Sequence, residues 1–378
     1  MQRNIITAMR IVLLPVDETT RNMNKQLITL PHGRHRQPRF VGRLVSWLMI
    51  LPLLLSVASC STDETADVAG EQWVVTAIMG ANGLGDRSYS DLIYSGLRQS
   101  ENALDITLRV IVPTSYEEAE PYFDAWLNDR QSTATRRLLI TASGEYEAYL
   151  KAKADRLPDQ DNARVMLLES ATKDAPYYTI RLPFYGAGYT AGYITPLLAG
   201  GDSAAVIVAN TTEATIINCY EAYRDGFTDA GGKRIDVYPL ADDQTGYAMA
   251  DSLYRLCYAL RGRYGMVLPI AGGSCQGILR YTREYPTAFF TAGMDVDQQQ
   301  TSYAVAFSIL KHIDRAVFDF ISTWRSGQPL NRHYSYGLAS GYMEVKVADN
   351  SRYDGLRAAV EAIRQQALTK EDDYETNQ

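Results

Sequence analysis

From Trp73 onward, short apolar runs rich in β-branched residues alternate with amphipathic stretches, and no other feature of this chain restricts its fold as tightly. Residues 73–79 read as a buried strand, and strands are predicted again at 106–112, 138–142, 165–168 and 177–181, with helices at 116–129 and 145–154. A second series follows. A helix opened by Gly188 to Tyr193 ends near Gly200-Gly201, then strands at 205–208, 235–238, 265–270 and 288–293 alternate with helices at 213–230 and 247–260. Parallel neighbours need a crossover connection, so such alternation predicts parallel sheets with helices on their faces. Two series of similar size predict an α/β protein of two Rossmann-like lobes. The simplest ligand position is the cleft between them.

The stretch Gly83-Leu84-Gly85-Asp86-Arg87-Ser88-Tyr89-Ser90-Asp91 carries the first strand into the first helix. Its glycines permit a sharp turn, and Ser88 with Asp91 is expected to cap the helix that Leu92, Ile93, Gly96 and Leu97 continue on one face. Loops at the carboxyl ends of parallel strands are where open α/β sheets take ligands. Tyr89 is expected at the lip as a flat stacking surface; the plainer alternative is an ordinary turn with a surface tyrosine.

Charge and the reactive residue types narrow the function. Residues 1–59 hold eight Lys/Arg against two acids, and from Cys60 on there are 29 basic and 42 acidic residues. An acidic body of this kind argues against nucleic acid as a partner, because phosphate binding needs a basic stripe. His32 and His35 precede the body, which leaves it His312 and His333. No H-E-x-x-H, C-x-x-C or Walker pattern occurs, and Gly272-Gly273-Ser274-Cys275-Gln276-Gly277 misses nucleophile-elbow spacing by one residue. The expectation is a protein that is not an enzyme and uses no cofactor or metal.

Arg34, Arg36, Arg39 and Arg43 precede the apolar run 44–57, which ends in Val57-Ala58-Ser59-Cys60. Basic residues, a short apolar core and small residues make a signal-peptide layout. Small residues followed by Cys60 look like a bacterial lipobox, which implies cleavage before Cys60 and lipid on it; an uncleaved anchor helix is the alternative. Residues 1–33 sit oddly far upstream and read as an over-called start, with Met23 as a substitute. Residues 60–71 form a polar, acidic tether. The lobes are expected at 72–182 and 183–299, with part of 300–345 returning to the first and a C-terminal strand, helix and polar tail at 346–378. Cys219, Cys257 and Cys275 are expected to be buried free thiols.

Several ordered segments resemble one family. Gly83 to Ser90 is similar to the G-(L/I)-(G/N)-D-K-S-F-N segment of the basic membrane protein (BMP) family of PnrA-like substrate-binding lipoproteins. Tyr189-Thr-Ala-Gly192-Tyr193 resembles its Y-L-A-G-Y helix, Tyr223-Arg-Asp-Gly226-Phe227 its F-x-x-G-F, and Ala271-Gly272-Gly273 its A-G-G-T-G loop. Gly293-Met294-Asp295-Val296-Asp297-Gln298 resembles G-V-D-V-D-Q, and Ser308 with Lys311 the S-x-x-K that follows. The resemblance implies a type I periplasmic binding protein fold with a hinge. It also implies capture of a nucleoside, with a purine first in line, for an ABC permease, by a lipoprotein held at a membrane of the bacterial envelope.

Carried over residue by residue, it puts Asp295 and Lys311 at a ribose and Tyr89 on a base, with Asp86, Ser88, Ser90, Gly272, Gly273 and Asp297 as further ligand contacts. A carboxylate can accept from two vicinal hydroxyls, and a nearby lysine would offset its charge. The alternatives are a solvated turn for the two aspartates and a surface helix lysine for Lys311. Departures from the family pattern bear on the purine: Ser90 replaces an asparagine, Cys275 a glycine, and Pro239 to Ala241 an aromatic. Glu145, Tyr146 and Asn210 are candidate replacement contacts. A sensory or docking lipoprotein binding another small polar ligand is the runner-up.

Overall fold

The computed structural model describes residues 71–129, 135–158, 162–199 and 203–377. The expected signal peptide, Cys60, the tether up to residue 70 and the Gly200-Gly201 turn lie outside the described residues. The first apolar run forms β1 (Gln72–Met79), of which every residue after Gln72 is buried. A strand buried on both faces belongs in the middle of a helix-covered parallel sheet. In sequence order follow α1 (Tyr89–Leu104), β2 (Thr107–Ile111), α2 (Tyr116–Asn128), β3 (Thr135–Ala142), α3 (Glu147–Ala152), β4 (Ala163–Leu168) and β5 (Tyr178–Arg181).

The second half comprises α4 (Tyr185–Ala199), β6 (Ser203–Asn210), α5 (Ala214–Asp229), β7 (Arg234–Ala241), α6 (Ala250–Leu260), β8 (Met266–Ile270), α7 (Cys275–Glu284), β9 (Phe290–Asp295) and β10 (Val305–Lys311). Then come α8 (Ile313–Arg325), β11 (His333–Ser335), β12 (Met343–Val347) and α9 (Asp354–Thr376). The first sheet has the order β11-β5-β4-β3-β1-β2, the second β12-β10-β9-β8-β6-β7. All pairings are parallel except β12, which runs antiparallel along β10. The chain crosses between sheets after β5, after β10 and between β11 and β12, and crossings of this sort are where a hinge can bend. The segment that returns to the first sheet is α8 with β11: Trp324 packs edge-on to Trp73 of β1, and β11 pairs with β5.

Two sequence motifs have a packing explanation. The α-carbon of Gly192 in α4 lies so close to α5 that a Cβ there would sit 2.0 Å from the Tyr223 carbonyl oxygen; a Cβ on Gly226 would sit 1.9 Å from that of Tyr189. Each Tyr-x-x-Gly segment thus takes the other helix's backbone against its glycine, and Tyr223 Oη donates to Thr195 Oγ1 at 2.9 Å inside the contact. Among the described residues no helix is long and apolar enough to cross a membrane. Cys219, Cys257 and Cys275 are free and buried.

Candidate functional site

In both sheets the strand order turns back beside the first strand of the series, between β1 and β3 and between β6 and β8. Such reversal points open a crevice at the carboxyl ends of the strands. The loops leaving β1, β3 and β4 of one half face those leaving β6, β7, β9 and the end of β10 of the other.

The loop after β1 turns through Gly83 and Gly85, at φ of +71° and +96°. Asp86 then organises the start of α1. One of its oxygens accepts from the amides of Ser88 (2.9 Å) and Asp91 (3.2 Å), the other from that of Ser90 (2.8 Å). Asp91 points back into the loop, accepting from Gly85 N and Arg87 N at 2.8 Å each. The expected Ser88 cap is therefore corrected. Asp86 satisfies the helix amides, so the Ser88 hydroxyl is free to reach across and donate to Asp295 Oδ2. Ser90 is buried within the first turn.

Asp295, the last residue of β9, stands at the cleft in a left-handed conformation, φ +64°. Burial raises its pKa, and the neighbouring Lys311 charge and the Ser88 hydrogen bond only partly offset that rise. Lys311 ends β10, which is buried along its whole length, and is 7% exposed. Its Nζ pairs with Glu169 Oε1 at 2.7 Å, from the residue after β4 in the other half, and lies 5.1 Å from the Tyr89 ring centroid. Burial opposes the charge on Lys311, but Glu169 and then Asp295 outweigh it and raise the pKa. The structure thus brings Ser88, Tyr89, Asp295 and Lys311 together.

Tyr89 has its hydroxyl buried without a hydrogen-bond partner, and burial with the nearby charges of Glu169, Glu145 and Asp295 raises its pKa strongly. A third cross-cleft contact runs from Gln244 Nε2 to Glu145 Oε1 at 2.9 Å. Glu145 also accepts from Tyr116 Oη (3.1 Å) and from Ser143, while Glu213 accepts from Tyr247 Oη at 2.6 Å. Burial raises the Glu213 pKa.

Gly272 and Gly273 lie on the same side, but what approaches them closely is Tyr247. A Cβ on Gly272 would be 2.7 Å from its ring, and one on Gly273 would be 3.0 Å from its carbonyl oxygen and 3.6 Å from Asp86 Cβ. Asp297 is not drawn into this cluster: it is exposed, ion-paired to Lys346 at 2.8 Å, and accepts from Gln299 N. The Gln298 and Ser308 of the motif hold the turn after β9, Gln298 accepting from Met294 N and donating its amide to Ser308 Oγ. Tyr146 sits in the core, donating to the Met79 carbonyl at 2.6 Å, and Asn210 caps its own turn at Thr212.

Glu169, Glu213, Gln244, Tyr116 and Tyr247 went unnoticed in the sequence. Glu169 and Glu213 stand within three residues of strand ends, and that position was the available signal. Three of the four non-glycine residues with positive φ among the described residues, Arg87, Glu169 and Asp295, lie in these loops. A left-handed conformation costs about 1–2 kcal/mol per residue, and such strain gathers where the surroundings hold functional groups in place.

No protein-family model matches this chain, and no curated protein sequence matches it. Solved structures do. A solute-binding protein of an ABC transporter system from Aeropyrum pernix K1 superposes with a TM-score of 0.61 at 16% identity, over 81% of this chain and 90% of that one. A transcriptional activator of the comK gene from Bacillus halodurans gives 0.61 at 14%, over 78% and 96%. A 5-methylthioribose transporter solute binding protein from Thermotoga lettingae TMO, in complex with 5-methylthioribose, gives 0.55 at 14%, over 77% and 98%. These likenesses establish the fold: α/β, with two parallel-dominated sheets, as in type I periplasmic binding proteins.

Proposed function

We propose that this chain is a solute-capture protein whose two halves close over a hydroxyl-rich small molecule of nucleoside-like size and hand it to an ABC permease, without chemical change to the ligand. One observation carries the reading: Ser88 and Glu169 of one half meet Asp295 and Lys311 of the other at the carboxyl ends of both sheets, beneath Tyr89. On opening, Asp295 would exchange the Ser88 hydroxyl for ligand hydroxyls, and Lys311 would donate to ligand oxygens. Tyr89 would offer its face to a ring, an interaction worth about 1–3 kcal/mol on stacking platforms. Lipid on Cys60 would hold the protein at a membrane of the cell envelope. Metabolic labelling with palmitate should mark the wild-type chain and not Cys60→Ser.

Titration calorimetry of the purified full-length chain against nucleosides, sugars and polyols, neutral and charged, should find a ligand with a Kd on the order of micromolar or tighter. Silence across the whole panel overturns capture; sugars binding while guanosine, inosine and adenosine stay silent removes the nucleoside part alone. Sensing without transport is the second reading. What favours it is the comK activator, whose TM-score equals that of the transport protein. Uptake of labelled ligand that survives deletion of this protein would select sensing.

A further inference from the structure

The charge balance of the cleft says something more specific about the ligand. Glu145, Glu169, Glu213 and Asp295 border it, with Asp86 close enough to act on Asp295, and Lys311 is a cation that reaches Glu169, Glu213 and Asp295. Only Glu169 has a basic partner within salt-bridge distance among the described residues. The other three are held by neutral donors: Glu145 by Ser143, Tyr116 and Gln244, Glu213 by Tyr247, and Asp295 by Ser88. Glu145 is exposed at the rim and Glu213 and Asp295 are half-buried. A neutral ligand that shut carboxylates without a counter-charge away from water would cost roughly several kcal/mol for each, whereas a cationic one would offset that cost.

The groups around the carboxylates are also those that receive a cation. Tyr89, Tyr116 and Tyr247 stand among them, and aromatic faces attract ammonium groups. The buried Tyr89 hydroxyl has no hydrogen-bond partner, although Glu169, Glu145 and Asp295 all act on it. Lys311, with three donors, meets one carboxylate. Both are polar groups in place for something that enters when the cleft opens. Among the described residues no three His, Cys, Asp or Glu side chains converge as a metal-ligand set, so a bare metal ion fits poorly.

On the reading that this cleft captures a small solute, we propose that its ligand carries a protonated amine on a hydroxyl-bearing frame, as in an amino sugar or an amino-substituted nucleoside. Lys311 takes an oxygen of the frame, and the amine goes to the Glu145 and Glu213 side, between Tyr116 and Tyr247. Protonation of the carboxylates is the competing way to remove the surplus charge.

The test is a set of matched pairs titrated against the full-length chain at neutral pH: glucosamine and glucose, galactosamine and galactose, 5′-amino-5′-deoxyadenosine and adenosine. The amine-bearing member of at least one pair should bind about tenfold tighter or more than its neutral match. Glu145→Gln and Glu213→Gln, both isosteric, should each cut that advantage several-fold, with thermal melts confirming that the variants are folded. If neutral members bind as tightly as their amines, the charge assignment falls and the capture reading stands. If no member of any pair binds while the broader panel yields a neutral ligand, the result is the same. If nothing in either set binds, both readings fall.

Discussion

Lys311 is a buried ion-pair partner, and the proposed capture function gives it a second role in binding. It is nine-tenths buried against Glu169, so replacing it with methionine keeps the volume and strands a carboxylate. Removing one partner of a buried pair costs about 3–5 kcal/mol, and chemical denaturation of Lys311→Met should lose stability of that order. The double variant Lys311→Met/Glu169→Gln should recover most of the stability and none of the ligand affinity, which separates the two roles. Asp295 makes a pH-dependent prediction of unusual sign. Its folded pKa is raised above the ordinary 3.8, so the native state holds the proton more firmly than the unfolded chain. That contribution is present at low pH and is lost as pH rises through the raised value. Asp295→Asn, which removes the titration, should melt higher than wild type at neutral pH. The gap should close as pH falls toward 3.8, while calorimetry shows ligand affinity down more than about tenfold.

At the scale of elements, the α4–α5 crossing and the C-terminal helix decide how firmly the halves are built. Gly192→Ala or Gly226→Ala would place a methyl into the facing backbone and should cost about 1–3 kcal/mol or more in urea unfolding, because helix backbones cannot shift as a flexible side chain can. Glu371 of α9 is 7% exposed and accepts from Gly186 N at 3.0 Å and Leu338 N at 2.9 Å, tying α9 to the start of α4 and to the last crossing. Glu371→Ala should leave two amides unpaired and destabilise by about 1–3 kcal/mol for each that water cannot reach. The resemblance segments Tyr189 to Tyr193 and Tyr223 to Phe227 were visible in the sequence. That the glycines and alanine of the first permit close packing was legible too; that the two segments pack on each other was not, because glycine spacing in one helix does not say which backbone will occupy the gap. β10 escaped as a strand for a related reason: Ser308 and Lys311 interrupt its apolar run, and only the tertiary fold shows that both are buried.

For the whole molecule, closure is the property under test. Ser88–Asp295, Glu169–Lys311 and Glu145–Gln244 join the two halves directly. Ser88→Ala combined with Gln244→Ala removes two of the three contacts and should shift the ligand-free protein toward an open state, read as a larger radius of gyration in small-angle X-ray scattering. A bound ligand should reverse the shift, since it binds the closed form preferentially. No change in scattering in either case would mean that the crossings do not hinge.

The sequence by itself determined the α/β architecture, the two series of strands, the glycine-turned loop at Tyr89 and the carboxylate at Asp295, because burial periodicity and turn chemistry are local properties. The tertiary structure alone decided that the Ser88 hydroxyl caps nothing and crosses 207 positions to Asp295, that Lys311 pairs with Glu169, and that Asp297 faces solvent. Those partners are set by how two separately built sheets face each other across three crossings, and no local pattern in the chain encodes that relation.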